Sequence, residues 1–296
     1  MNTGIFPVER IDEIIKRPQD FRLLERIPLT VEGMMNKLPI RLQEPQEGDI
    51  IKHAVILDTE TTGMNAASDR IIELGLLRCT YSFNRRVLLT IERYYDEFED
   101  PGRAIPLEVQ ELTGITDEMV RGHKFDDEIC AQLLSDRPLV IAHNARFDRP
   151  FFDRRFPLMA NLAWACSLSG INWDAIGSNG KKLEYLNQSR GWFYDAHRAY
   201  VDCLALVWLL HLEPEAFDML IDTALSCQYR LNAWQSPFRC KDDLKAQGFS
   251  FDGQHKVWYK NFSRAEDAQN TLLNLSMLFD TSACEVVKMN AANRYK

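Results

Sequence analysis

Two acidic side chains on one short segment are the residues best suited to chemistry: Asp58 and Glu60, in the run His-Ala-Val-Ile-Leu-Asp-Thr-Glu-Thr-Thr-Gly over residues 53–63. The apolar run 54–57 reads as a buried strand. Strand side chains alternate faces, so Asp58 and Glu60 point the same way. Two adjacent carboxylates repel each other unless a cation sits between them. A hard divalent metal, which prefers oxygen ligands, is the natural cation. Taken alone, an Asp-x-Glu pair is more often a solvated strand end.

Two further segments carry isolated acids. In Ile-Ala-His-Asn-Ala-Arg-Phe-Asp (141–148) a buried strand ends at Ala142. Asn144 can cap the following helix, which puts Asp148 in its first turn. An acid there also suits the helix dipole without any catalytic role. In His-Arg-Ala-Tyr-Val-Asp (197–202), Asp202 stands at the polar edge of a strongly apolar stretch, 203–212. His197 lies on the approach to that helix. A lone histidine is commonly structural, but one spaced close to a helix-start acid is also a candidate base.

The elements that must position these residues alternate between strand-like and helix-like patterns. Strands are predicted at 54–59, 71–81 and 87–95, three in succession, which suggests an antiparallel meander. Residues 106–112 and 126–134 read as helices, 139–142 as a short buried strand, and 146–155 as a helix in which Pro150 must sit near the first turn or kink it. A strand at 163–166 and helices at 182–189 and 199–212 complete an α/β layer architecture, a mixed sheet flanked by helices.

The chain is 296 residues long, enough for about two domains. Residues 1–49 read as a helical extension broken by Pro18, Pro28, Pro39 and Pro45, with helical apolar spacing at 8–16 and 21–27. Residues 50–215 form the α/β domain. Residues 216–296 form a small aromatic-rich α+β module, with a helix at 241–247, a hairpin around Asp252-Gly253 and a longer helix at 264–278. Ten of the 35 Lys plus Arg and nine of the 43 Asp plus Glu fall in that module, so nearly all the excess acidity lies upstream. The net charge of −8 argues against a protein that coats nucleic acid nonspecifically, though not against a nuclease with local basic patches. The seven cysteines form no Cys-x-x-Cys pair, which disfavours zinc and suits reduced thiols in a cytoplasm. The first ten residues lack a secretory apolar core, and the longest apolar run, 203–210, is too short to cross a bilayer. A cytoplasmic protein without a membrane segment is expected.

Together the three acidic segments resemble the DEDDh 3′–5′ exonucleases of the ribonuclease-H-like superfamily, in particular the branch of the proofreading epsilon subunit of bacterial DNA polymerase III. Asp58-Thr-Glu60 matches the first family motif, His143 to Asp148 the second, and His197, Ala199 and Asp202 the third. The stretch Ile-Pro-Leu-Glu-Val-Gln-Glu-Leu-Thr-Gly-Ile-Thr (105–116) is similar to the branch's connecting region. The resemblance covers about residues 50–212. It implies a ribonuclease-H-like mixed sheet and two divalent metal ions, Mg2+ or Mn2+, held by Asp58, Glu60, Asp148 and Asp202. It implies His197 as general base, a role open to a side chain that titrates near neutrality.

The resemblance also implies that residues 59–64 touch the terminal nucleotide. Thr59 and Thr61 belong to this backbone stretch, and Met64 is the apolar wedge against the base, or equally a core methionine. His143 and Asn144 contact phosphate or cap the helix. Lys181 and Lys182 approach the backbone of the nucleic acid or simply start a solvated helix. Glu73 reads as a surface strand acid, with a supporting role at the site as the lesser alternative. The aromatics of the C-terminal module either stack on single-stranded bases or form the core of a small domain.

The expected partner is nucleic acid with a free 3′ end, single-stranded DNA above all, and the expected products are nucleoside 5′-monophosphates. An exoribonuclease of the oligoribonuclease or ribonuclease T type is the enzymatic alternative, because contacts to the 2′-hydroxyl decide between the two. A non-catalytic module that grips nucleic-acid ends is the other. No polymerase-binding tail is recognisable.

Overall fold

The computed structural model describes residues 8–296 except Gln254. The first seven residues of the predicted extension, and with them most of the segment read for a secretory signal, lie outside the described residues, as does one residue of the predicted hairpin turn. Residues 8–49 hold a single short helix, α1 (Ile11–Lys16), then β1 (Glu25–Arg26) and β2 (Ile40–Arg41), with 3-10 turns between them. The second predicted helix, 21–27, is not formed. Pro18 and Pro28 bracket that segment, and its backbone instead pairs with residues 192–193 as strand β1. Ile27 and Leu29 are buried in the main core, so this part of the chain packs against the α/β body.

The central sheet grows from β3 (Ile51–Thr61), β4 (Ile71–Ser82) and β5 (Val87–Phe98), an antiparallel meander as the strand spacing predicted. β6 (Leu139–Ala142) pairs parallel with β3, and β7 (Trp164–Cys166) parallel with β6. With β2 on the far edge, the six strands run in the order β2-β5-β4-β3-β6-β7. Between β5 and β6 lie α2 (Leu107–Thr113), α3 (Asp117–Val120) and α4 (Asp127–Leu133). The helix α5 (Ala145–Arg155) follows β6, and Pro150 is its sixth residue, past the first turn. Next come α6 (Ser167–Gly170), α7 (Leu183–Gln188), β8 (Trp192–Phe193), α8 (Ala199–Leu212) and α9 (Pro214–Leu225). No helix among the described residues is long and apolar enough to cross a membrane.

The period of two along β3 sorts its residues between two cores. Ala54 and Ile56 join the cluster built with α8 and α9, whereas Val55 and Leu57 join the cluster built with α5. Extending the alternation puts Asp58 and Glu60 on the α8 face and Thr59 on the α5 face. α8 is apolar nearly all round, which suits a helix packed between the sheet and α9. It comes unusually close to the sheet at Gly75, which pairs with Asp58 across β3 and β4. A Cβ at Gly75 would stand 2.7 Å from the backbone C of Ala199 and the backbone N of Tyr200. The bare glycine is what lets the first turn of α8, and with it Asp202, lie against β3.

The C-terminal residues form a second sheet, in the order β10 (Ser250–Asp252), β11 (Val257–Phe262), β9 (Gln228–Ala233) and β12 (Glu285–Met289), all antiparallel. The hairpin expected at Asp252-Gly253 is the β10–β11 pair. Helices α10 (Lys241–Ala246) and α11 (Ala265–Leu275) cover this sheet over a core of Leu231, Leu244, Phe249, Leu275 and Phe279. The aromatics divide: Phe249 is core, whereas Phe238 and Phe251 are exposed. After β12 the chain returns to the α/β body. The Ala291 carbonyl accepts from the Trp164 amide on edge strand β7 at 2.8 Å, and Tyr295 buries its ring in the α5-side core.

Gly75→Ala should therefore cost about 1–3 kcal/mol of stability through overpacking and should weaken divalent-cation binding by pushing α8 off β3. Urea denaturation and a manganese titration measure both. A neutral substitution would show that the close approach does not position Asp202.

Candidate active site

Asp58, Glu60 and Asp202 each offer an oxygen such that all three lie within 4.8 Å of one another. They come from β3 and the first turn of α8. Asp148, in the first turn of α5, reaches the same strand from its other face. Its Oδ1 accepts from the Thr59 hydroxyl at 2.9 Å and from the Thr59 amide at 3.2 Å. The strand thus presents two acids to one side and ties a third carboxylate to the residue between them. Thr59 is buried and spent on this contact.

Asp202 is held by two donors. The Tyr194 hydroxyl donates to Oδ1 at 3.0 Å, and the His197 amide donates to Oδ2 at 2.9 Å. The second bond accompanies a left-handed His197 backbone, φ 68°, uncommon for a residue other than glycine. The His197 ring is exposed on the approach to α8, and among the described residues it makes no hydrogen bond. The loop that carries this imidazole is therefore anchored to one of the clustered acids.

Glu73 corrects the sequence reading. It is fully buried, not a surface strand acid. One carboxylate oxygen accepts from Arg198 Nε at 2.9 Å and the other from the Ala199 amide at 2.8 Å. It satisfies an otherwise orphaned amide at the start of α8 and places negative charge at the positive end of the helix dipole. Glu73 stands opposite Glu60 across β3 and β4. It pins the helix start that carries Asp202. The available signal was an acid inside the uninterrupted apolar run of β4.

His143 and Asn144 do not cap α5 with their side chains. Asn144 sits at the cap position with φ 79° and makes no side-chain capping bond. His143 lies 2.8 Å from the Ser167 hydroxyl through Nδ1 and 2.9 Å from the Lys181 carbonyl through Nε2. Burial pushes its pKa down to about 4, against the opposing effect of the Lys181 carbonyl, so the ring is neutral at pH 7. A neutral ring donates from Nε2 to that carbonyl and accepts at Nδ1 from Ser167, an assignment made from the partners. His143 thereby ties the end of β6 to the loop before α7. Lys181 pairs with Asp174 at 3.5 Å, and Lys182 immediately precedes α7.

The segment after Glu60 is braced. The Thr61 hydroxyl donates to the Gly63 carbonyl at 2.6 Å. Asp69 accepts from the Asn65 amide at 2.9 Å and from Arg103 at 2.6 Å. Met64 projects from this braced loop with 82% of its surface exposed, so the core-methionine alternative does not hold.

Burial in this cleft, and crowding after it, disfavours ionisation. Burial, then the charges of Asp148, Asp202 and Glu60, holds Asp58 well above the usual carboxylate range. Glu60 is pushed up to about 8, by burial and then by Asp202, Glu73 and Asp148. Asp148 rises to about 7 through burial, opposed by its Thr59 bonds, and Asp202 to about 6 through burial, opposed by Tyr194 and the His197 amide. An oxygen-only set of acidic donors, ionised as it binds, fits a hard divalent cation. It does not fit zinc's usual nitrogen and sulfur ligands. Cys203, buried beside the cluster, is not part of it: its thiol donates to the Gly75 carbonyl.

Comparison with known proteins gives the site its context. A family model described as exonuclease, RNase T type, matches residues 55–210. The PolC-type DNA polymerase III of Thermotoga maritima is 27% identical over 171 residues, 57% of this chain and 10% of that protein. The PolC-type polymerase of Clostridium perfringens is 32% identical over 128 residues, 42% of this chain and 8% of that one. The chain thus aligns with about a tenth of the length of these curated relatives. Among solved structures, one of exonuclease I superposes with a TM-score of 0.50 at 17% identity, over 77% of this chain and 70% of that one. Exonuclease X in complex with 5′ overhanging duplex DNA gives 0.45 at 20% identity, over 57% and 98%. At these identities the structural likeness is one of fold.

The raised pKa values set the sign of a pH effect. A carboxylate whose folded-state pKa exceeds its unfolded value adds stability that is complete below the unfolded value. That stability is lost as pH rises through the folded one. For Asp202, Asp148 and Glu60 the loss runs through about 6, 7 and 8. A cation that binds the ionised cluster releases protons and reverses that loss. Saturating MnCl2 should raise Tm by roughly 5 °C at pH 8 and by far less at pH 5.5, as differential scanning fluorimetry would show. A pH-independent shift, or an equal shift in Asp58→Asn, would contradict this.

Proposed function

Since the chain belongs to the exonuclease family, we propose that it is a 3′–5′ exonuclease acting on nucleic acid by a two-metal mechanism, with DNA favoured. The products are nucleoside 5′-monophosphates. The observation that carries this reading is the convergence of Asp58, Glu60 and Asp202 oxygens within 4.8 Å, with Asp148 bonded to the intervening Thr59.

Asp58, Glu60 and Asp202 would hold one Mg2+ or Mn2+, and Asp58 with Asp148 a second. When bound, such a pair supplies an acidified water and stabilises charge on the scissile phosphate and the leaving 3′-oxygen. The chain's own groups do the rest. His197, on the exposed loop beside Asp202, accepts the proton of the attacking water. The new P–O bond forms as the P–O3′ bond breaks, and the terminal nucleotide departs with its 5′-phosphate. The backbone over residues 59–64 meets the terminal 3′-hydroxyl, with Thr61 keeping the turn closed. Met64, exposed at the lip, packs against the terminal base. The neutral His143 and the left-handed Asn144 shape the adjacent wall between β6 and α5.

A panel of single-stranded DNA, duplex DNA and RNA, each with a free or blocked 3′ end, tests this with Mn2+. Stepwise loss of nucleotides from free 3′ ends is expected, fastest on single-stranded DNA and abolished in Asp58→Ala. Absence of any release by the unaltered protein would overturn the reading, and faster RNA decay would overturn the DNA preference.

His197→Ala should leave manganese affinity within about twofold while lowering kcat by roughly 10²–10⁴. Calorimetry and single-turnover kinetics separate the two. Unchanged turnover would remove His197 from the mechanism.

A further inference from the structure

A second polar site lies where the C-terminal module meets the α/β body. It is a cavity of about 160 Å³, far above the ~15 Å³ that one water requires. One wall carries Arg146 from the first turn of α5 and Arg294 from the returning C-terminal segment. The other carries Gln228 and Arg230 of β9 and Asn261 of β11. Three guanidinium groups line it and no carboxylate does.

Each arginine is held differently. Arg294 is 8% exposed and donates to the Thr223 and Ser226 carbonyls at 2.6 Å, at the C-terminal end of α9. Its Nε is buried without a hydrogen-bond partner. Arg230 shares its charge with Asp252 at 3.2 Å and stacks 3.9 Å from the Tyr259 ring centre. Arg146 is exposed, lies 6.0 Å from the same ring, donates to the Tyr259 hydroxyl at 3.5 Å, and among the described residues forms no ion pair with a carboxylate. Like charges gathered round a polar cavity repel unless an anion is shared among them. Planar guanidinium forks match the oxygens of a phosphate.

Arg146 stands two residues before Asp148 on the same first turn, and helix positions two apart do not share a face. The cavity is therefore near the acidic cleft but around the helix from it. We propose that this cavity binds a phosphodiester group of the substrate strand upstream of the 3′ terminus, so that the C-terminal module and α5 together grip the chain being shortened. The proposal rests on the exonuclease reading for its substrate and on Arg146, Arg230 and Arg294 for its site.

The test uses the full-length chain. In EDTA, where hydrolysis is blocked, anisotropy of 5′-fluorescein-dT12 should show Arg146→Gln/Arg230→Gln binding roughly tenfold more weakly at 50 mM salt. The slope of log K against log salt should shrink by about 1.4. With Mn2+, KM for dT12 should rise by a similar factor, while kcat/KM for the dinucleotide dT2, which has only its scissile phosphate, stays unchanged. Arg230 supports the module, so the exposed Arg146→Gln alone is the control for folding, with about half the slope change expected.

Equal affinity, slope and KM for the variants would overturn the proposal while leaving the exonuclease reading intact. So would a variant that weakens dTMP competition but not dT12 binding, since the site would then take free nucleotide. Loss of dT12 affinity in a protein that never hydrolyses DNA would sink the catalytic reading and keep this site.

Discussion

Carboxylates forced together out of water resist ionisation, and this molecule brings four of them to the end of one strand. Asp58 and Glu60 are neighbours by the pleat of β3, Asp202 arrives on α8, and Asp148 arrives on α5 from the opposite face. Their raised pKa values record first the cost of burying them and, at Asp58 and Glu60, also the cost of that crowding. A cluster that is unfavourable by itself becomes favourable with a divalent cation, and that is the condition the proposed phosphodiester chemistry requires. The surrounding fold keeps the acids in place against their mutual repulsion.

Two devices do most of that holding. Gly75 removes the side chain that would keep α8 off the sheet, and Glu73 accepts the first amide of α8 while pairing with Arg198. Both lie on β4, both face the start of α8, and neither is part of the three-acid cluster. Together they convert the long apolar helix, whose burial drives its docking, into a lever that sets the height of Asp202 above Asp58. The His197 amide then closes the loop onto Asp202, so acid and imidazole are positioned by one hydrogen bond.

Where a pattern was local, it was legible in the sequence. The alternation on β3 put Asp58 and Glu60 on one face, the helix expected at 199–212 is α8, and Asp202 does converge with Asp58 and Glu60. Readings that depended on tertiary partners fared worse. Glu73 looks like a surface acid because nothing local reveals that Arg198 and Ala199, more than a hundred residues away, lie over it. His143 looked like a capping residue because its real partners, Ser167 and Lys181, are distant in the chain. Residues 21–27 have helical apolar spacing, yet Glu25 and Arg26 among them pair with β8 as a strand. The C-terminal return, with Arg294 and Tyr295 packed onto the body, carries no periodic signal at all.

The account stands or falls on whether these acids bind cations together. Anomalous diffraction at the manganese edge, from crystals grown with MnCl2, locates bound metal without reference to activity. The account predicts manganese density between Asp58, Glu60 and Asp202, with a second peak toward Asp148. Density elsewhere on the surface, or a cleft left without manganese at millimolar concentration and pH 8, would contradict it.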